Sequence, residues 1–276
     1  MKKLAIAFTA LAALSGQALA ADMPMKAVRP APAPVVVANW TGCYISGGIG
    51  YGLFDQQNTL YDYTGTTRVR ITDTWDTGGR GWTGRAQTGC DYQFGGIGSW
   101  NMVIGLFGDY DWTDIHGRVN DPFFGSVSSE KMSSQWAVGG RLGVLVTPQL
   151  LSYFSVGYTE ASFDRLGLTN GRVNGFCTGG IGFACNAYLP GQTYKGWFLG
   201  SGLEYSLAWA PGLTLKTEYR LSELDLANNT VYNTLTGTPF GGGFGYQLDS
   251  KKYVQTVTTS LSYKFNWGKG PVVAKY

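Results

Sequence analysis

The chain has 276 residues, of which 41 are Gly and 10 are Pro, close to one residue in five. Only 14% are charged, well below the roughly 25% of an ordinary soluble domain, and 14% are aromatic. This composition argues against a disordered chain and against a helical bundle, in which each interior Gly costs about 1 kcal/mol. A single histidine, His116, argues against His-dense metal sites, and a net charge of +3 leaves no nucleic-acid footprint.

Residues 1–20 read as a secretory signal peptide: Lys2 and Lys3 are followed by an apolar run from Leu4 to Leu14, and Ala18-Leu19-Ala20 offers a small-x-small cleavage site before Ala21 or Asp22. Its removal takes two lysines and no acids, leaving a formal charge of +1. Export places the four cysteines in an oxidising compartment, where pairing is expected. Residues 21–39, with Pro24, Pro30, Pro32 and Pro34 among Ala and Val, read as an extended linker. No other segment has 18 continuous apolar residues, so a membrane could be crossed only by strands.

From Trp40 onward eight stretches alternate with a period of two. The first runs from Trp40 to Phe54 and sets Cys43, Ile45, Ile49, Tyr51 and Leu53 against Gly and Ser. The second, about 84–94, sets Ala86, Thr88, Cys90, Tyr92 and Phe94 against Arg85, Gln87, Asp91 and Gln93. The third, about 100–114, sets Trp100, Met102, Ile104, Leu106, Tyr110 and Trp112 against Phe107, Asp109 and Asp111. The fourth, about 134–146, sets Trp136, Val138, Leu142 and Val144 against Arg141. In the fifth, 150–163, Phe154, Val156 and Tyr158 share one face while Leu151 and Tyr153 compete for the other. The sixth, 195–207, opposes Trp197, Leu199, Leu203 and Tyr205 to Glu204. The seventh, 213–221, opposes Leu215 and Tyr219 to Lys216, Glu218 and Arg220, and the eighth, 253–265, opposes Val257, Leu261, Tyr263 and Phe265 to Thr, Ser and Lys264.

Connections 55–83, 115–133, 164–194 and 224–252 read as long loops, alternating with short turns near 95–99, 147–149 and 208–212. Such alternation is expected when every second turn lies on the same side of a membrane. The two-faced pattern alone fits a soluble sandwich equally well. The signal peptide, the loop alternation and the aromatic strand ends favour lipid against the apolar face, and these aromatics suit interfacial girdles. The expected fold is therefore all-β, an eight-stranded antiparallel up-and-down transmembrane β-barrel over residues 40–265 with a C-terminal tail, 266–276. An even strand number puts both termini on one side, expected to be the periplasm of a Gram-negative cell.

Several segments resemble the small outer-membrane β-barrels of alphaproteobacteria, of the surface-antigen or immunogenic-protein type. They include Asn39-Trp40-Thr41-Gly42-Cys43-Tyr44-Ile45, Gly89-Cys90-Asp91-Tyr92-Gln93-Phe94, Gly108-Asp109-Tyr110-Asp111-Trp112, Gly140-Arg141-Leu142-Gly143, Gly202-Leu203-Glu204-Tyr205, Leu215-Lys216-Thr217-Glu218-Tyr219-Arg220 and Leu261-Ser262-Tyr263-Lys264-Phe265. The resemblance implies a barrel similar to the OmpA transmembrane domain, in contact with outer-membrane lipid and lipopolysaccharide and inserted by the barrel-assembly machinery. Thr258-x-Ser260-x-x-Tyr263-x-Phe265 looks like the insertion signal, with Ser where Gly is usual, and that role falls to Tyr263 and Phe265. Members often carry Glu where Phe107 stands, so one inward charge is expected to be missing here.

Four cysteines allow three pairings. Cys43 and Cys90 sit at similar depth on the apolar faces of the first two strands and are expected to bond, while Cys177 and Cys185 are expected to close a small loop; free buried thiols are the alternative. The inward charges Asp91, Asp109, Arg141, Glu204, Lys216, Glu218 and Arg220 read either as a salt-bridged plug or as a channel lining. A lumen of eight strands is just filled by side chains, and mixed signs favour pairing, so the plug is preferred. His116 beside Asp114 lacks a nucleophile at a spacing that catalysis would need. The Gly-rich stretch 239–245 lacks a phosphate-loop ending and reads as a surface loop. The expected function is that of a structural, non-enzymatic outer-membrane protein without a cofactor and without nucleic acid as a partner. The alternatives are a narrow porin-like channel and a surface protein whose loops bind haemin, a host molecule or another cell.

Overall fold

The computed structural model describes residues 38–64, 67–95, 100–120, 127–168, 187–234, 236–240 and 245–265. The expected signal peptide, nearly all of the linker, the tail, Cys177, Cys185 and Gly241 to Gly243 lie outside the described residues.

The described chain is built of strands: β1 (Gly42–Thr64), β2 (Thr67–Arg70), β3 (Trp75–Gly95), β4 (Asn101–Asn120), β5 (Val127–Thr147), β6 (Leu150–Phe163), β7 (Leu166–Leu168), β8 (Ala187–Leu189), β9 (Gln192–Ser206), β10 (Leu213–Thr230), β11 (Tyr232–Asn233) and β12 (Tyr246–Phe265). Eight of them, in the order β1-β3-β4-β5-β6-β9-β10-β12, pair antiparallel with their neighbours, and β12 pairs back onto β1 from Cys43↔Phe265 to Asp62↔Tyr246. The ring is closed and up-and-down, as the alternation implied. Closure leaves no open sheet edge in the ring, the condition for strands to stand in hydrocarbon. β2 extends the β1 hairpin, and β7, β8 and β11 form a small separate sheet.

One end of the ring, the turn end, carries the first residues of β1, the last of β12 and the tight connections. Pro148 and Gln149 join β5 to β6, and residues 207–212 join β9 to β10. The second turn needs a left-handed backbone at Gly212, φ +87°, where a side chain would be strained. The other end, the loop end, carries the longer connections.

Near the turn end each strand points apolar residues outward: Ile45, Ile49 and Leu53 on β1, Ile104 and Leu106 on β4, Phe154 and Val156 on β6, Leu199 and Leu203 on β9, and Val257 and Leu261 on β12, all exposed. Aromatic rows bound this belt. Tyr92, Trp100, Tyr205, Trp209, Tyr263 and Phe265 lie toward the turn end, and Tyr51, Trp82, Trp112, Trp136, Tyr158 and Trp197 lie toward the loop end. On β1 the belt from Ile45 to Leu53 matches the 9–11 residues that a tilted transmembrane strand needs.

The strands do not stop there. β1 has 23 residues and β4 has 20, about twice the transmembrane requirement. Above the belt the polarity inverts. Asp55 and Gln57 on β1, Asp114, His116 and Arg118 on β4, and Lys131 on β5 now face outward. Phe54, Ile115, Met132, Ala161, Phe163, Leu224 and Val254 pack inside, with Leu60, Val119, Leu166, Leu189 and Leu248 beyond them. The segments 55–83, 115–133 and 224–252, expected as loops, are thus largely strand. Two effects hid them. The outward residues become polar, so the apolar face no longer tracks one side, and β-bulges shift the parity. Between Met132 and Ser134 the register of β5 slips, and between Leu224 and Ala227 that of β10 slips. Inward positions of β5 are even-numbered through Met132 and odd-numbered from Gln135.

Leu106→Arg, in the middle of the belt, is expected to weaken folding into bilayers by about 2–4 kcal/mol. Ser129→Arg, outward but beyond the belt, should change it by less than about 0.5 kcal/mol. Urea titration of vesicle-inserted protein, read by heat-modifiable gel mobility, measures both.

Candidate functional site: the lumen and its charge network

Inward side chains fill the ring in layers. Near the turn end Trp40, Val103, Leu151 and Tyr153 form an apolar layer, with the Trp40 indole donating to the Pro148 carbonyl at 3.2 Å. Leu151 and Tyr153, ambiguous in the sequence, therefore point inward, and Phe154, Val156 and Tyr158 point outward.

Next come two clusters of buried charge. In the first, Arg141 holds Asp91 in a two-pronged fork, with Nε donating to Oδ1 at 2.8 Å and Nη2 donating to Oδ2. Its Nη1 donates to Glu204 at 2.9 Å. Lys264 Nζ lies 2.7 Å from Asp91 and 3.4 Å from Glu204, which also accepts from Thr214 at 2.7 Å. The second cluster centres on Glu218. It accepts from Arg85 at 3.1 Å, from Arg220 at 2.7 and 3.0 Å, and from the Tyr153 hydroxyl at 2.9 Å. Arg85 forks onto Asp111 at 2.7 and 2.8 Å, and Arg220 forks onto Asp109 at 2.8 and 3.0 Å. Planar guanidinium forks give the strongest and most directional pairing available to a carboxylate. Phe107 points inward where the resemblance anticipated a Glu, and it offers an aromatic face instead: the Arg220 guanidinium lies 5.6 Å from its ring and 4.3 Å from that of Phe198.

All seven charges singled out in the sequence project into the lumen and are buried. Arg85, Asp111 and Lys264 were missed, although each stands at an inward position of its strand. With them the two clusters hold five cations (Arg85, Arg141, Lys216, Arg220, Lys264) and five anions (Asp91, Asp109, Asp111, Glu204, Glu218). A third pair, Lys252 with Glu130 at 2.7 Å, lies beyond them among Phe54, Phe163 and Tyr194. It escaped notice because its strand segments read as loop.

Lys216 differs from its neighbours. Its Nζ has no hydrogen-bond partner, and neither do the hydroxyls of Tyr44, Ser46, Ser260 and Ser262. The Tyr44 ring lies 5.6 Å from the Lys216 ammonium. The wall beside these groups is thin, since interior Gly48 and Gly50 of β1 lie against Ser260 and Thr258. A Cβ on Gly50 would fall 2.4 Å from the Val257 carbonyl oxygen, so the close approach requires glycine.

Cys43 and Cys90 are directly paired across β1 and β3 and form a disulfide on the outward face near the turn end. Tyr263 and Phe265 are outward neighbours there, with ring centroids 5.1 Å apart. His116 is an outward residue of β4 rather than a loop residue, and its Nε2 lies 2.8 Å from Asp114 Oδ1. Lys131 Nζ lies 2.9 Å from the same carboxylate oxygen. These three groups stand clear of the belt. Hydrogen bonds from Lys131 and His116 hold Asp114 below the ordinary carboxylate range, and the carboxylate in turn raises Lys131. Among the described residues no group of three or more His, Cys, Asp or Glu is placed to hold a metal ion.

The two ways of deleting a lumen charge should differ. Glu218→Ala leaves Arg85 and Arg220 with one carboxylate each, Asp111 and Asp109, leaves the cluster with excess buried positive charge, and is expected to cost about 3–5 kcal/mol. Lys216→Met removes an ammonium that has no hydrogen-bond partner, and should cost less than about 2 kcal/mol. Equal losses in the same vesicle unfolding titration would contradict this account of the network.

The sequence matches the outer membrane protein beta-barrel domain over residues 6–265. It is 27% identical over 272 residues to the 31 kDa outer-membrane immunogenic protein of Brucella melitensis biotype 1, spanning 96% of this chain and 100% of that protein; the Brucella suis biovar 1 protein of the same name matches equally. Among solved structures, the outer membrane protein AlkL in lipid bilayers aligns with 92% of this chain and 99% of its own at 12% identity and TM-score 0.40. The attachment invasion locus protein Ail of Yersinia pestis aligns with 81% and 99% at 13% identity and TM-score 0.33. With the matched domain spanning the whole ring of strands, the chain belongs to the outer-membrane β-barrel protein family.

Proposed function

We propose that this protein is a structural barrel of the Gram-negative outer membrane, sealed through its lumen, whose work is envelope integrity and the display of its loop end at the cell surface. The observation that carries this reading is the layered lumen. An apolar layer around Trp40, two charge clusters of balanced sign and an apolar upper core succeed one another along the ring. A selective pore is better served by one excess sign and by water-filled space. The forks on Asp91, Asp109 and Asp111 instead commit each arginine to a carboxylate on another strand.

In this reading both ends of the chain lie in the periplasm, and the assembly machinery recognises Tyr263 and Phe265 at the end of β12. The outward belt contacts lipid and lipopolysaccharide, and the loops are the part open to host molecules or haem. This reading assigns no catalytic role to His116, whose imidazole is bonded to the Asp114 carboxylate. A channel is the competing reading, and conductance separates the two. Purified protein in planar bilayers should give no reproducible single-channel steps; steady steps would overturn the sealed lumen. On intact cells, protease should cut within 121–126 or 169–186 and spare Pro148-Gln149. The reverse pattern would overturn the orientation.

A further inference from the structure

At the turn end the chain enters the wall of the ring from inside. Trp40 precedes β1, yet it is buried in the lumen. It reaches the far side. β6 stands opposite β1 in the ring, and Trp40 packs with its Leu151 and Tyr153 and with Val103 of β4. The indole nitrogen donates to Pro148 in the β5–β6 turn. The Lys264 ammonium, from β12, lies 4.7 Å from the indole ring. Trp40 therefore lies between the turn-end mouth and the cluster of Arg141, Asp91, Glu204 and Lys264.

Little of the backbone ladder holds this residue in place. The chain bends into the wall at Gly42, φ +149°, a backbone that glycine favours. On one side the ladder stops at Cys43↔Phe265, where β12 ends, and on the other it stops at Gly42↔Asp91. Gln93 adds two hydrogen bonds: its side chain accepts from the Trp40 amide at 3.2 Å, and its own amide donates to Thr41 Oγ1 at 3.0 Å. Strand ends of this kind open at little cost. The Cys43–Cys90 disulfide lies three residues from Trp40 and ties the start of β1 covalently to β3, so the open arrangements are removed. Cys90 is exposed on the outward face.

We propose that Trp40 is the turn-end stopper of the lumen and that the Cys43–Cys90 bond is its latch, released by a dithiol reductant. In the exchange the reductant's two thiols give up two electrons and two protons and become a disulfide, while Cys43 and Cys90 become thiols. The start of β1 then comes away from β3, Trp40 leaves the mouth, and the buried Lys264 meets water. The inference deepens the sealed-lumen reading and rests on it, because it names the part that closes one end.

The test treats the full mature chain, in detergent micelles, with a water-soluble amine-acylating reagent and scores each lysine by peptide mass spectrometry. Lys264 should be protected in the wild type and should label roughly tenfold or more faster in C43S/C90S. Trp40→Gly, which deletes the stopper, should do the same, and adding C43S/C90S to it should change the rate by less than about twofold. Dithiothreitol applied to C177S/C185S should reproduce C43S/C90S. Exposed Lys195 reports the reagent, and Lys252, buried beyond the charge clusters, should stay protected throughout. Heat-modifiable mobility confirms that each variant is folded. Lys264 as protected in C43S/C90S as in the wild type overturns the latch, and protection in Trp40→Gly overturns the stopper. No effect of dithiothreitol overturns release by reduction. Labelling of Lys252 together with Lys264 means that the whole ring has opened, and overturns a local device. Steady conductance of the wild-type protein would sink the sealed lumen itself, whereas the labelling compares variants of one barrel, so the two failures are distinguishable.

Discussion

Closing eight strands into a ring leaves a lumen so narrow that the inward side chains fill it against one another. Glu218 shows how tight the constraint is. One carboxylate receives hydrogen bonds from Arg85, Arg220 and Tyr153, contributed by β3, β10 and β6. A buried charge left alone is strongly destabilising. The position of each strand in the ring is therefore tied to the others by side-chain pairs as well as by the backbone ladder. The Arg220 fork crosses the lumen from β10 to Asp109 on β4, those of Arg85 and Arg141 reach carboxylates one and two strands away, and the girdle aromatics bound the belt.

The outward surface obeys a different requirement at each height. Against hydrocarbon it must be apolar, and the charges go inside. Beyond the second aromatic row it faces water, and the same strands bury Phe54, Ile115, Phe163 and Leu224 instead. The protein is thus inside-out over one part of its length and ordinary over the rest. The charge clusters and the apolar upper core are two solutions of one packing problem in two solvents.

Much of this could be read from the sequence where one rule held along a strand. Alternation located the eight membrane segments, and the positions of Cys43 and Cys90 led to their pairing. Arg85, Asp111 and Lys264 stand at the same parity as Asp91, Asp109 and the other inward charges and are legible from it. The upper strands were not readable as strands. A segment such as Asp114-Ile115-His116-Gly117-Arg118-Val119 alternates with the opposite sense, and at Ser133 and Asp225 the phase itself is interrupted. Ion pairs such as Lys252 with Glu130 depend on contacts 122 residues apart in the chain, which no local pattern encodes.

The bulges in β5 and β10 separate the chain's two regimes. A strand without such a bulge transmits any gain or loss of one residue along its whole length, turning every side chain to the wrong face. With a bulge at Ser133, a frame change introduced nearer the loop can be absorbed before it reaches Arg141 or Val138. The loop-end half is then free to drift in length and sequence while the membrane half keeps its phase.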